Sequence, residues 1–402
     1  MFRALRILAA SLPLLIPTAI AAQEVSNEVV KIGILTDMTG PFADFAGQGS
    51  VAAAELAIED FGGSVLGKPV ELISASHDLK PDIASAKARE WFDVDNVDMI
   101  NDITGSSIAL AVSKLAHERD KIAIVNSAAV TALTNEQCTP NTVHYAYDIY
   151  AIASTTTRSI VRNVGKNWFF LTQDTIGGKA LEDTMTTFLL ENGGEKVGTA
   201  RHPLNAQDYS SFLLQAQNSK ADVIALANSG TEFINAVKGA SEFGLVQAGQ
   251  KLAGTTVFIT DIHALGLDAA QGTLAATAFY WDMDDATRAF AKRFYERMNK
   301  MPTMAQAGVY SSTKLYLEAV KAAGTDQADA VMAKMREIPV NDIFKNGHLR
   351  ENGSFAHDMY LVQVKAPSES SGPWDYYKVL ETVPADEAYQ PLEKSSCPLI
   401  KK

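Results

Sequence analysis

Apolar positions along this chain follow two periods, and the two periods alternate. Val29–Leu35 is a continuous, β-branched-rich apolar run of the kind that forms a strand buried on both faces. It passes into a loop, Thr36–Asp44, that mixes hydroxyls with Gly40, Pro41 and Phe42. Val51, Ala54, Ile58 and Phe61 then recur at three- and four-residue spacing, which is one face of a helix. The same alternation predicts strands at 69–74, 97–103, 121–126, 168–172, 222–227, 256–260 and 359–365. It predicts helices at 47–60, 81–92, 107–119, 150–164, 178–192, 207–218, 230–243, 285–299, 306–323 and 326–337. Such a succession implies parallel sheets covered by helices on both faces.

These are too many strands for one compact sheet, and 402 residues leave room for two domains. The expected fold class is therefore α/β, with two Rossmann-like lobes built on parallel central sheets. Aromatic and turn-rich stretches near 141–148, 278–282 and 354–358 read as three crossings between them. Lobe 1 is expected to hold 28–147 and 281–356, and lobe 2 to hold 148–280 and 357–390. A tail, 391–402, follows a segment rich in Pro, Ser and Gly and needs an anchor.

Composition changes this picture at the N-terminus. Arg3 and Arg6 precede a mostly apolar stretch, Ile7–Ile20, and Ala19-Ile20-Ala21 offers a small-x-small cleavage site. Residues 1–22 therefore read as a secretory signal peptide; Pro13 and Pro17 disfavour an anchor helix. No cysteine lies near the cleavage site for a lipid, so the expected product is secreted and not lipid-anchored. Removing this segment takes the formal charge from −12 to −14, which disfavours nucleic acid as a partner. Only two cysteines are present, Cys138 and Cys397. In a secreted chain they suggest one disulfide, which would tie the tail to lobe 1; two free thiols are the alternative.

Signatures of catalysis come close and fail. Gly62-x-x-x-x-Gly67-Lys68 begins like a phosphate-binding loop, but Pro69 stands where a metal-binding hydroxyl belongs. Gly47-x-Gly49-x-x-Ala52 lies about eleven residues beyond its strand, too far to form the tight turn that cradles a dinucleotide. The seven histidines show no metal-ligand spacing, and no nucleophile elbow is present. The reading is not an enzyme, with no cofactor and no metal.

The informative residues sit at strand ends, where open α/β sheets bind ligands. Thr104-Gly105-Ser106-Ser107 leads into a helix, putting hydroxyls and unpaired N–H groups at its positive end. Asn126-Ser127-Ala128-Ala129 would let a ligand approach the backbone. In the second lobe the corresponding ends are Gln173-Asp174-Thr175-Ile176, Asn228-Ser229-Gly230-Thr231 and Asp261-Ile262-His263. Asp261 could hold an amine or hydroxyl, and His263 could donate to a carboxylate. Several small polar loops facing one another suggest a cleft for a small polar molecule.

The stretches VKIGILTDMTGPFADFAGQGSVAAAELAIEDFGG, ITGSSIALAVSKLA, VNSAAVTALT, AQDYSSFLLQAQNSKADVIALANSG and QAGVYSSTKLYLEAV carry a resemblance over nearly the whole mature chain. In order and spacing they resemble the periplasmic solute-binding proteins of ABC importers, leucine/isoleucine/valine-binding type, with the type I periplasmic-binding fold. WFFLTQD and the SSCPL tail resemble the subgroup that handles aromatic carboxylates. The resemblance implies that Ser106 and Ser107 grip a ligand carboxylate, with Ser127 adding a backbone group. It implies that Asp261 lies near the carboxylate that holds an α-ammonium. Ala129 replaces a usual Thr, and Ile176 a usual cleft Tyr. These departures favour an apolar or aromatic carboxylate packed on Phe42 or Tyr150 over an α-amino acid. The partners so implied are that small carboxylate and an inner-membrane ABC permease, with the chain a monomer. A branched-chain or other aliphatic amino acid is the alternative ligand.

Overall fold

The computed structural model describes residues 25–204 and 206–401; the proposed signal peptide lies outside them. The first sheet contains β1 (Val30–Thr36), β2 (Ser64–Val65), β3 (Lys68–Ser76), β4 (Met99–Asp102), β5 (Ile122–Val125) and β6 (Thr142–His144). Their order is β2-β3-β1-β4-β5-β6, parallel except for the β2–β3 ribbon. β1, at the centre, is largely apolar because helices cover both faces: Val30, Ile32, Ile34 and Leu35 are all buried.

The second sheet contains β7 (Asn167–Gln173), β8 (Glu195–His202), β9 (Val223–Ser229), β10 (Lys251–Thr256) and β11 (Leu274–Thr277). After a small ribbon of β12 (His348–Leu349) and β13 (Phe355–Ala356), β14 (Met359–Val364) and β15 (Tyr377–Val383) complete it. The order is β15-β14-β11-β10-β9-β7-β8, with β14 antiparallel to both of its neighbours, β11 and β15. The chain passes between the sheets three times, after β6, after β11 and after β13. This is the two-lobed α/β architecture expected.

The second passage sends a 20-residue helix, Met304–Ala323, back against the first lobe. Its residues are buried on nearly every side, so it is apolar or small almost throughout. Thr303 Oγ1 donates to Phe45 O at 2.7 Å, and Gln306 Nε2 to Ala46 O at 3.0 Å. A Cβ on Gly49 would stand 2.1 Å from Gln306 Nε2. The glycines near the start of the helix Gly47–Phe61 therefore serve close packing, and no nucleotide is needed to explain them.

Two features depart from expectation. The strand read at 256–260 is Lys251–Thr256, and Ile259–Leu265 is a helix. The run Thr256–Thr260 is apolar enough to look like a strand. The Asp261 carboxylate, however, accepts from Phe258 N at 2.9 Å and caps a helix there. The strands β8 and β15 form no apolar runs because both are edge strands: β8 largely alternates exposed with more covered positions, and β15 is exposed or half-exposed from Lys378 to Thr382.

The Cys138–Cys397 disulfide is present, with Cα atoms 5.7 Å apart and a sequence separation of 259. The tail also docks through Ser395 Oγ to Thr134 O at 2.9 Å and Asn135 Nδ2 to Gln390 Oε1 at 3.0 Å. The cross-link restricts the unfolded chain by roughly 5 kcal/mol in the loop-entropy account. Replacing both cysteines by serine should lower stability by about 2–5 kcal/mol, read from the midpoint of urea unfolding. An unchanged midpoint would show that the hydrogen bonds alone anchor the tail.

Candidate functional site

A cleft of about 620 Å³ lies between the lobes, at the carboxyl ends of β1, β4 and β5 on one side and β7, β9 and β10 on the other. That size suits a small ligand, and the position follows the rule for open α/β sheets.

The lobe 1 wall is shaped by three strand ends. After β1, the buried Asp37 carboxylate accepts from Gly40 N at 2.8 Å and Phe42 N at 3.0 Å. This folds the loop tightly and presents Pro41, Phe42 and Phe45 to the cleft. After β4, Asp102 and Ile103 both adopt left-handed backbone, φ 77° and 55°, and Gly105 follows at 93°. For a β-branched isoleucine this is an uncommon conformation that costs on the order of 1–3 kcal/mol. It is held by Asn126 N and Ser127 N donating to Asp102 O at 2.9 and 3.2 Å, and by Ile103 N donating to Leu35 O at 3.1 Å.

The turn delivers the start of the helix Ser106–Glu118 to the cleft. No side chain caps that helix, so its positive end faces the cavity. After β5, the Ser127 hydroxyl donates to Asp102 Oδ1, and burial raises the Asp102 pKa above the usual carboxylate range. Ala128 O meets His144 Nε2 at 2.7 Å, and Ala129 O accepts from Ile149 N at 2.9 Å. These bonds fix the backbone of the Ser127–Ala129 segment.

The lobe 2 wall supplies Gln173, Asn228, Ser229, Thr231, Glu232 and Thr256. The helix Thr231–Glu242 also begins without a side-chain cap, after Gly230 at φ 57°. Glu232 lies in its first turn, where a negative charge meets the positive helix end. Across the cleft Phe258 stacks flat on Phe45, centroids 4.0 Å apart and planes 6° apart. Tyr147 meets Phe258 edge-on at 6.1 Å, and Phe42 meets Phe45 at 5.3 Å. A Cβ on Gly230 would lie 3.6 Å from Pro41 O, so the lobes also approach at this point. The cavity thus has polar groups on both walls and a band of aromatic rings joining them.

Of the residues expected at the site, Phe42, Ser106, Ser107, Ser127, Ala128, Ala129 and Ser229 line the cleft. Tyr150, Asp174, Asp261 and His263 do not. Tyr150 packs edge-on against Phe188 at 5.0 Å. Asp174 pairs with Lys179 at 2.6 Å, which holds its carboxyl below the usual range. His263 stacks on Trp374 at 3.9 Å and meets Tyr376 Oη at 2.7 Å; burial lowers its pKa. Asp261 is the helix cap already described. Both lie away from the cleft because the strand ends at Thr256, four residues before the expected Thr260. The true end, Thr256, brings Phe258 to the cleft instead. Ile176 opens the helix Ile176–Glu191, and its side chain lies outside the described residues. Phe45, Tyr147, Phe258 and Glu232 were missed. Glu232, two residues after the strand-end Gly230, was the one with a usable sequence signal.

The profile of the family described as periplasmic binding protein matches residues 29–372. A solved periplasmic binding protein from Burkholderia mallei is 48% identical, with a TM-score of 0.88, covering 93% of this chain and 100% of that one. A branched chain amino acid ABC transporter periplasmic ligand-binding protein from Burkholderia xenovorans LB400 is 42% identical, with a TM-score of 0.87, covering 92% and 99%. A solute binding protein of an ABC transporter from Rhodopseudomonas palustris BisB5, solved with 3,4-dihydroxy benzoic acid, shares the fold. It is 23% identical, with a TM-score of 0.81, covering 89% and 98%.

Burial, with the charge of Asp44 adding to it, raises the Asp261 pKa to about 7; the bond from Phe258 N opposes this. A folded-state pKa above the unfolded one gives stability that is full in acid and is lost as pH rises through about 7. Asp261→Asn keeps an acceptor for Phe258 N and removes the titration. Between pH ~4 and pH ~8 the native protein should lose about 3 kcal/mol relative to this variant, read by chemical unfolding. Parallel pH profiles would contradict the assignment.

Proposed function

The chain belongs to the periplasmic binding protein family, and from that premise we propose that it captures a small carboxylate with an aromatic or apolar body. On this reading it works in the periplasm as the binding component of an ABC uptake system, a monomer that hands its ligand to an inner-membrane permease. The observation that carries the reading is the uncapped start of the helix Ser106–Glu118, set in one cavity with the Phe42, Phe45 and Phe258 rings. Backbone N–H groups and two hydroxyls at a helix N-terminus suit a carboxylate, through charge-assisted hydrogen bonds and the helix dipole. The ring band suits a flat apolar body. The Rhodopseudomonas palustris structure, which shares the fold, holds an aromatic acid.

A ligand touching both walls favours the arrangement in which the lobes meet, so capture is a shift toward that state. The contacts available for this are Ser106 and Ser107 from lobe 1, with Asn228, Ser229 and Glu232 from lobe 2.

A second reading, an α-amino acid, is favoured by one observation: Glu232 lines the lobe 2 wall, where a carboxylate could hold an ammonium. The Burkholderia xenovorans protein named for branched chain amino acid transport points the same way.

Thermal unfolding against benzoate, hydroxybenzoates, aromatic keto acids, leucine, isoleucine and valine separates the two. A ligand at 100 times its Kd should stabilise the fold by about 2.7 kcal/mol. Aromatic acids are expected to raise Tm most. A rise with the branched-chain amino acids alone would establish the second reading. No rise with any carboxylate, using protein refolded free of bound compounds, would refute both. Replacing Ser106 and Ser107 together by alanine should weaken binding roughly tenfold or more, about 1.4 kcal/mol, in a calorimetric titration. An unchanged Kd would remove the hydroxyls from the account.

A further inference from the structure

We propose that Asp102 governs carboxylate binding by setting which way the Ser127 hydroxyl points, so that capture takes up a proton; this rests on the carboxylate reading above. Asp102 is fully buried at the end of β4, directly behind the cleft wall. Ser127, which lines the cavity, is hydrogen-bonded to Asp102 Oδ1.

The two protonation states of Asp102 have opposite consequences for the cavity. An ionised carboxylate can only accept, so Ser127 must give its single O–H to Asp102. The cavity then meets the lone pairs of Ser127 with a buried negative charge behind them. Both repel an incoming carboxylate, and little solvent intervenes to screen the charge. When Oδ1 binds a proton from solvent, one O–H bond forms and the new hydroxyl donates to Ser127 Oγ. The Ser127 hydrogen rotates away from Asp102 and becomes available to the ligand. No other bond forms or breaks, and the balance is one proton taken up per ligand bound wherever Asp102 begins ionised.

The surroundings of Asp102 support this. Apart from Ser127, the groups facing it are the hydroxyls of Thr36 on β1 and Ser50 on the helix Gly47–Phe61. The titratable neighbour is the phenol of Tyr147, from the first crossing, whose own pKa burial and Asp102 both raise. No lysine, arginine or histidine stabilises the Asp102 charge among the described residues. Its elevated pKa follows from burial without a cation, and a bound anion beside Ser127 would raise it further.

Affinity should therefore be full below the pKa of Asp102 in the free protein. It should fall by up to about tenfold per pH unit above it, levelling off beyond its pKa in the complex. The test is calorimetric titration of the full mature protein with benzoate, 4-hydroxybenzoate and leucine. Each is run across pH in two buffers of different ionisation enthalpy, which reports proton uptake without any mutation. The expected result is uptake between zero and one proton wherever affinity falls with pH. Asp102→Asn suits the left-handed backbone at φ 77° and keeps a donor, Nδ2, toward Ser127. It should bind within about threefold of the native protein's acid-limit affinity, with a flat pH profile and no uptake. Binding by the native protein with no proton uptake, or an unchanged pH slope in Asp102→Asn, would overturn the proposal while leaving the carboxylate reading intact. If none of the three binds at any pH, the carboxylate reading falls and this proposal with it.

Discussion

The left-handed turn at Asp102 and Ile103 is the constraint on which the cleft depends. A parallel strand normally hands its chain to a helix through a short loop, and here that loop must also aim the helix start at the cavity. Two consecutive non-glycine residues at positive φ achieve this at a cost of order 1–3 kcal/mol each. The surrounding structure holds them there. Asn101 Oδ1 accepts from Asp102 N at 2.7 Å and from Asn126 Nδ2 at 2.7 Å. Asn101 in turn donates to Ser312 Oγ at 3.0 Å and Thr313 Oγ1 at 3.1 Å. The helix carrying Ser312 and Thr313 arrives only after the chain has built most of lobe 2. The binding wall of lobe 1 is thus completed by a segment more than 200 residues away, and the strain at the turn is local evidence of that support.

The same economy shapes the rest of the cavity. Backbone groups and short side chains at strand ends form its polar parts, so few large polar side chains need be buried without partners. The apolar part is a set of rings, and Phe45 from lobe 1 lying on Phe258 from lobe 2 is one contact that spans the lobes. Asp37 and Asp261 are both buried carboxylates that do not line the cavity. Each organises a loop that delivers a ring, Phe42 in one case and Phe258 in the other.

Periodicity made most of the fold legible, since buried parallel strands and amphipathic helices leave unambiguous patterns. The edge strands β8 and β15 escaped because half-exposed strands lack an apolar run. The lobe 1 wall of the cleft was legible too: Ser106, Ser107 and Ser127 follow recognisable strands by two to five residues. The lobe 2 half was not. An apolar run, Thr256–Thr260, straddles the end of β10, and the helix cap at Asp261 became visible only in three dimensions. That shift of four residues exchanged Phe258 for Asp261 and His263. Tyr150 sits in the first turn of a helix and packs against the lobe 2 core, an orientation that periodicity alone does not give.

The proposed binding mode has a polarity: charged end of the ligand on the helix start at Ser106 and Ser107, apolar body among the rings. A crystal structure with 4-bromobenzoate, its bromine located by anomalous scattering, tests that most directly. The account predicts the carboxylate about 3 Å from the N–H groups of Ser106 and Ser107, with the bromine directed toward Phe258 and the lobe 2 wall. A carboxylate held by lobe 2 with the bromine against Ser106, or a molecule bound only outside the cleft, would contradict it.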